Sequence, residues 1–249
     1  MIKITALLRF IILGLLVCFV SVILLTGSAQ TVTAETVTYQ TTKAFEEYRP
    51  QYHVILAHET NYGDRHTQDS QGNRLYNQPL VVLHETVGSA KSAINLFQAP
   101  HYQDSQQVSY HTLITLEGTV VYIVPPENRA FGAGNSAFKT PSGIETVQTN
   151  PQLAPSVNNF AYHVSLETPA DGRNNHRQHS GYSNAQYNSL AWLLARSSVP
   201  DNRITTHRDV DLSGHRFDPR SFEMDRLLKI LHTYRQPVLE PVSTNQIGR

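Results

Sequence analysis

The chain predicts an α/β domain: a single domain with a central mixed β-sheet flanked by helices. Short apolar runs bounded by turn residues recur at 53–57 (HVILA), 79–83 (PLVVL) and 160–166. Segments with apolar positions at helical spacing lie between and after them. A paired stretch, Tyr110 to Leu116 and Thr119 to Val124 around Glu117-Gly118, reads as a hairpin. Strands interleaved with helices give this class.

The elements follow in order. HVILA and PLVVL read as buried strands. The polar stretch 61–78 between them reads as a loop, and 90–98 as a short helix. After the hairpin, 127–159 is rich in Pro, Gly, Asn and Ser and reads as a long loop of the kind that carries function. Residues 160–166 form the next strand. Ser183-Asn184 caps a helix to Arg196, with Tyr187, Leu190, Ala191 and Leu194 at helical spacing and Pro200 beyond its end. Ile204 to Thr206 is a short strand, and 221–234 a final helix.

The ends read differently. Lys3 and Arg9 precede an apolar run from Phe10 to Leu25, followed by small residues. That is the pattern of a secretory signal. As a helix the run spans about 24 Å at about 1.5 Å per residue, short of a hydrocarbon core of about 30 Å. Residues 1–29 are therefore expected to be a cleaved signal, with an uncleaved membrane anchor as the alternative. The single cysteine, Cys18, lies inside the run, and bulky Val17 before it argues against lipid attachment. Residues 30–50 read as a linker, 51–235 as the folded domain and 236–249 as a disordered tail.

Composition narrows the function. Lys+Arg and Asp+Glu are both 20, so no basic excess is available for phosphates, and no nucleic-acid partner is expected. Histidine is abundant, at 12 residues. His84 closes the strand LVVL, His207 closes ITT, and Asp218 stands just before Pro219. Two imidazoles and a carboxylate leave a fourth position open on zinc, the arrangement of catalytic rather than structural sites. Spacing alone is weak evidence, because each histidine could equally be a strand-end residue bonded to backbone.

The segments VVLHET (81–86), VSYHTLITLEGTVVYIVP (108–125), HVSLET (163–168) and ITTHRDVDLSGHRFDP (204–219) occur in this order. Together they resemble the zinc-dependent N-acetylmuramoyl-L-alanine amidases of the type 2 family, which includes the peptidoglycan-recognition proteins. The resemblance covers residues 78–232. It implies a peptidoglycan-recognition/amidase-like fold, a Zn2+ cofactor, and His84, His207 and Asp218 as its ligands. It implies hydrolysis of the amide between N-acetylmuramic acid and L-alanine, with peptidoglycan or muropeptides as partners. Glu167 matches the position of a catalytic carboxylate that would accept the water proton. Arg216 stands where many members carry Lys and would steady the oxyanion, a role His215 could share.

Members often have Trp-His where this chain has Phe131-Gly132, while Gly134 and Asn135 remain family-like. Phe131, Gly134 and Asn135 are expected to contact substrate or line the cleft, and a strand histidine, His111, to line the cleft or support the zinc site, with a packed place in the core as its alternative. His163 reads as packed or hydrogen-bonded, and His176 and His179 as solvated. The whole implies an exported monomer in the periplasm or cell envelope, touching membrane only through its first residues if these are retained. A recognition protein that binds without cleaving is the alternative. So is a zinc hydrolase acting on another amide.

Overall fold

A computed structural model describes residues 37–238 of the chain. The expected leader and most of the expected tail lie outside the described residues. No helix among the described residues is long and apolar enough to cross a membrane.

The chain begins with β1 (Tyr39–Thr41) and α1 (Lys43–Glu47), then β2 (Tyr52–Val54), β3 (Tyr62–Asp64) and β4 (Leu80–Glu85). Next come α2 (Ala90–Gln98), β5 (Thr112–Ile114), β6 (Val120–Tyr122), β7 (Asn128–Ala130), β8 (Phe138–Thr140) and β9 (Gly143–Glu145). It ends with β10 (Ala161–Leu166), α3 (Asn184–Ala195), β11 (Ile204–Thr206), α4 (His207–Val210), α5 (Met224–Tyr234) and β12 (Arg235–Pro237). The main sheet has six strands in the order β11-β4-β10-β5-β6-β2. The β5–β6 pair is antiparallel and the other four pairings are parallel, so the sheet is mixed as expected.

Local chemistry explains the elements that matter for the site. Ser183 accepts the N–H of Gln186, whose side chain accepts the N–H of Ser183 in return, a reciprocal cap that starts α3. Ser89 caps α2 by accepting from Ser92. The hairpin turns at Gly118, whose φ of +83° suits glycine. A β-carbon there would also lie 2.8 Å from the Ala185 carbonyl.

Alternation along the strands sorts the core. Val81, Leu83, Val164 and Leu166 face α3 and α5, packing on Leu190, Leu194, Leu227 and Leu231. Leu80, Val82 and Ala161 face the other way, against Val147, Val157 and Val210. Full burial of such a side chain contributes about 1.5–3 kcal/mol. His84 has the parity of Leu80 and Val82, Glu85 that of Val81 and Leu83. The sheet thus places these neighbours on opposite faces.

Four expectations need correction. The expected linker carries β1 and α1, and β1 pairs with β12, which takes residues 236 and 237 out of the expected tail. β2 is an edge strand with Tyr52 and Val54 each 63% exposed, not a buried one. The loops 61–78 and 127–159 contain β3, β7 and the β8–β9 hairpin. The last helix starts at Met224, three residues later than the apolar spacing suggests.

Candidate active site

Parallel pairing of β4, β10 and β11 brings their carboxyl ends to one edge, where open α/β sheets bind ligands. Thr206 of β11 stands beside Leu83 of β4, so His207 emerges next to His84. Thr206 accepts the N–H of Asp209 and turns the chain into α4 at that point. The loop after α4 is folded by Asp211, whose carboxylate accepts the N–H groups of Ser213, His215 and Arg216. The loop's end is tied back by Arg208, which donates its N–H to the carbonyl of Asp218 at 2.9 Å. Asp218 is thereby set against both histidines.

The three side chains converge. His207 Nδ1 lies 3.0 Å from Asp218 Oδ1, and His84 Nδ1 lies 3.3 Å from Asp218 Oδ2. One ligand atom from each residue falls within 4.8 Å of the others. Tetrahedral zinc with bonds of about 2.0–2.2 Å needs ligand atoms about 3.3 Å apart. The approach of His84 to Asp218 does not have hydrogen-bond geometry, so Nδ1 of His84 is a buried nitrogen without a partner. A nitrogen lone pair aimed at a second imidazole and a carboxylate fits a divalent metal.

Electrostatics agree. Burial pushes His84 down to about 4, against the opposing pull of Asp218, so its imidazole is neutral at pH 7. Burial raises the Asp218 carboxyl, but the hydrogen bond from His207 and the closeness of both imidazoles outweigh it and hold the group below the usual range. Neutral imidazole and ionised carboxylate are the forms that ligate metal.

His207 and Asp218 line a cleft of about 950 Å3 together with Tyr110, Arg129, Phe131, Gly134, Asn135 and Arg216, while His84 is fully buried. Arg216 lines the cleft too, and its guanidinium makes no ion pair among the described residues. His215 does not line it; it is exposed, and its N–H is spent on Asp211.

Two expected site residues are placed elsewhere. Glu167 follows β10, but its Oε1 accepts from Ala90 N–H and Arg173, and its Oε2 from Leu116 N–H. The carboxylate faces the start of α2 and is not among the residues lining the cleft. His111 is fully buried behind the site rather than in the cleft. Its Nδ1 accepts the N–H of His163 and its Nε2 lies 3.2 Å from the Asn128 carbonyl, the arrangement of an Nε2–H tautomer. Its place is structural.

Three features escaped the sequence reading. Tyr110 stacks on His84 with ring centroids 4.4 Å apart. Burial raises its hydroxyl well above the ordinary value, so it stays protonated. Glu85, on the opposite face from His84, is held by Arg220 through both oxygens, at 2.6 and 3.1 Å. His179, expected to be solvated, is instead buried, with Nε2 3.2 Å from Glu85. Only the order of apolar and polar positions in LVVLHET hinted at a residue on each face.

The N-acetylmuramoyl-L-alanine amidase family model matches residues 75–221, more than half of the chain. The chain belongs to this family. The amidase resembles a crystallised AmpD derivative at 22% identity, with 75% of this chain and 97% of that one aligned and a TM-score of 0.51. It is also similar to AmpDH3 of Pseudomonas aeruginosa, solved in complex with an anhydromuramic pentapeptide (18% identity, 66% of each chain, TM-score 0.45). A third similar structure is the amidase LysC of Clostridium intestinale (17% identity, 74% of this chain and 99% of that one, TM-score 0.43). No curated protein matches the chain. Family membership makes it an enzyme of the peptidoglycan amidase class, with the mixed α/β architecture of the AmpD fold.

Proposed function

We propose that this amidase uses a zinc ion to hydrolyse the amide between the lactyl group of N-acetylmuramic acid and L-alanine. Its substrate would be peptidoglycan, or muropeptides released from it, outside the cytoplasmic membrane. The carrying observation is the convergence of His84, His207 and Asp218 beside a cleft that the last two line, with a buried imidazole nitrogen left unpartnered. When bound, zinc supplies Lewis acidity, polarising the scissile carbonyl and making water a nucleophile near neutral pH. Tyr110 packs against His84 and keeps its ring in place. Arg216 offers guanidinium donors within the cleft, suited to charge growing on the amide oxygen. Phe131, Asn135 and Arg129 provide an apolar face and polar groups for sugar and peptide. The basic start and apolar run of residues 1–29 support export to the cell envelope.

A second reading, recognition without cleavage, is favoured by one observation. Both oxygens of Glu167 are engaged by backbone and Arg173, and those of Glu85 by Arg220, so neither carboxylate is free to accept a proton. Digestion of purified peptidoglycan separates the readings. Zinc-loaded protein is expected to release stem peptides beginning with L-alanine by mass spectrometry, and chelated protein or Asp218→Ala to release none. Binding to the wall without release would establish recognition. Neither binding nor release would defeat both readings.

A further inference from the structure

The strand β10 contributes a histidine that the reaction above does not use. His163 is fully buried, and its Nδ1 lies 2.9 Å from Nε2 of His84. The two rings meet on the cleft-facing side of adjacent strands, His163 beside Val82 in register. The imidazole of His84 is thus engaged at both ends: Nδ1 faces His207 and Asp218, Nε2 faces His163.

We propose that His163 is a positioning residue that accepts the Nε2–H of His84 and so keeps the Nδ1 lone pair turned to the metal. The proposal rests on the zinc reading of His84. A neutral imidazole carries one N–H, and the hydrogen bond made by one nitrogen decides what the other can do. With Nε2–H given to His163, Nδ1 must be the unprotonated nitrogen. The opposite direction, His163 donating, would put the proton on Nδ1 of His84. That proton would then point toward Asp218 without a hydrogen bond, since the geometry between them does not make one.

Two more observations show that the ring of His163 is held for this purpose. Its backbone N–H donates to His111 Nδ1 at 2.9 Å, and the two rings lie nearly parallel, with centroids 5.8 Å apart. One face of its ring packs on Gly132. A β-carbon at 132 would meet Cγ and Nδ1 of His163 at 2.6 Å, closer than real atoms approach. So the departure at Phe131-Gly132 has a steric reason: the space beside position 132 is filled by an imidazole arriving from the neighbouring strand. The arrangement is also not optimal for stability. As acceptor through Nδ1, His163 carries its proton on Nε2, which is buried without a partner. Such an orphan destabilises the fold, which argues that the ring serves the histidine it touches.

The test is zinc affinity, measured by competition with a chromophoric chelator, on protein checked for folding by circular dichroism. Loss of an outer partner of a metal ligand weakens binding about 10–100-fold. His163→Phe is expected to lose that much, while His163→Gln, which retains an acceptor oxygen, stays near the unsubstituted protein. Gly132→Ala, which touches no ligand but displaces the ring, is expected to weaken zinc as well. In the metal-free protein, nitrogen chemical shifts of His84 should report the Nε2–H tautomer. Unchanged affinity in His163→Phe would overturn the proposal. So would equal losses in the Phe and Gln variants, or an Nδ1–H tautomer. Should the Phe variant not fold, unchanged affinity in Gly132→Ala overturns it instead. Failure of the unsubstituted protein to bind zinc at all would be a failure of the zinc reading, visible before any variant is compared.

Discussion

Glu167 accepts the backbone N–H of Ala90, the first residue of α2, at 2.9 Å. Its second oxygen accepts from Leu116 at the hairpin end. One carboxylate therefore joins the two segments that follow β4 and β5. Removing it leaves two amide groups without acceptors, each costing about 1–3 kcal/mol when buried. Glu167→Ala is expected to lower the unfolding free energy by about 2–4 kcal/mol in urea titration. Its turnover per folded molecule should fall by less than the about 10²–10⁴-fold that loss of a general base costs. Unchanged stability with a loss of that size would restore the base role.

Arg216 lines the cleft without a carboxylate partner among the described residues. If it stabilises charge on the amide oxygen, Arg216→Ala should reduce kcat by about 10²–10³-fold with little change in KM. Arg216→Lys keeps the charge and should recover most of that loss. Equal defects in both variants, read from release of stem peptides, would point to two-pronged guanidinium contacts instead.

His111 gives a pH dependence with a definite sign. Burial, with the nearby Arg65 charge adding to it, pushes its imidazole down to about 3. It is faced by Arg65, the Asn128 carbonyl, Tyr162 and His163. The unfolded chain takes up this proton near pH 6.5 and the folded one only near 3. The stabilisation is therefore complete above about pH 6.5 and is lost as pH falls toward about 3, at up to about 1.4 kcal/mol per pH unit. In chelator, His111→Asn is expected to flatten the acid limb of the stability curve by about one proton. An unaltered slope would show that His111 does not titrate this way.

Arg220 and Glu85 are 6% and 2% exposed, and Arg220 also donates to the carbonyls of Gly172, Asn174 and His176. Removing one partner of a buried pair leaves an uncompensated charge. Arg220→Met is expected to destabilise by about 3–5 kcal/mol, and adding Glu85→Gln should recover part of this. A double variant no better than the single one, by thermal unfolding, would mean the carbonyl contacts dominate.

What could be read from the sequence was set by pattern length. The strand LVVL and the α3 segment carry enough apolar periodicity, with a clear cap at Ser183, to be placed correctly. His84, His207 and Asp218 were readable through the family resemblance of the runs that hold them, since their spacing alone was weak evidence. β1, β3, β7 and β12 were not readable: each is three residues long, and each is fixed by a partner remote in sequence, as Tyr39 is by Pro237. The contacts of Glu167 were hidden for a related reason. Its position after β10 was foreseen, but where its carboxylate points depends on the α2 and hairpin backbones. His163 was assigned a bonded role without its partner, because only the register of β10 on β4 brings it to His84.

The pairing of Tyr39–Thr41 with Arg235–Pro237 means that the folded unit starts and finishes at the same spot. Joining those two ends with a short peptide and opening the chain at an exposed loop should give a circular permutant with the same cleft. By the same logic, a force applied to both ends loads this three-residue ribbon first, and the six-stranded sheet that carries the histidines only afterwards.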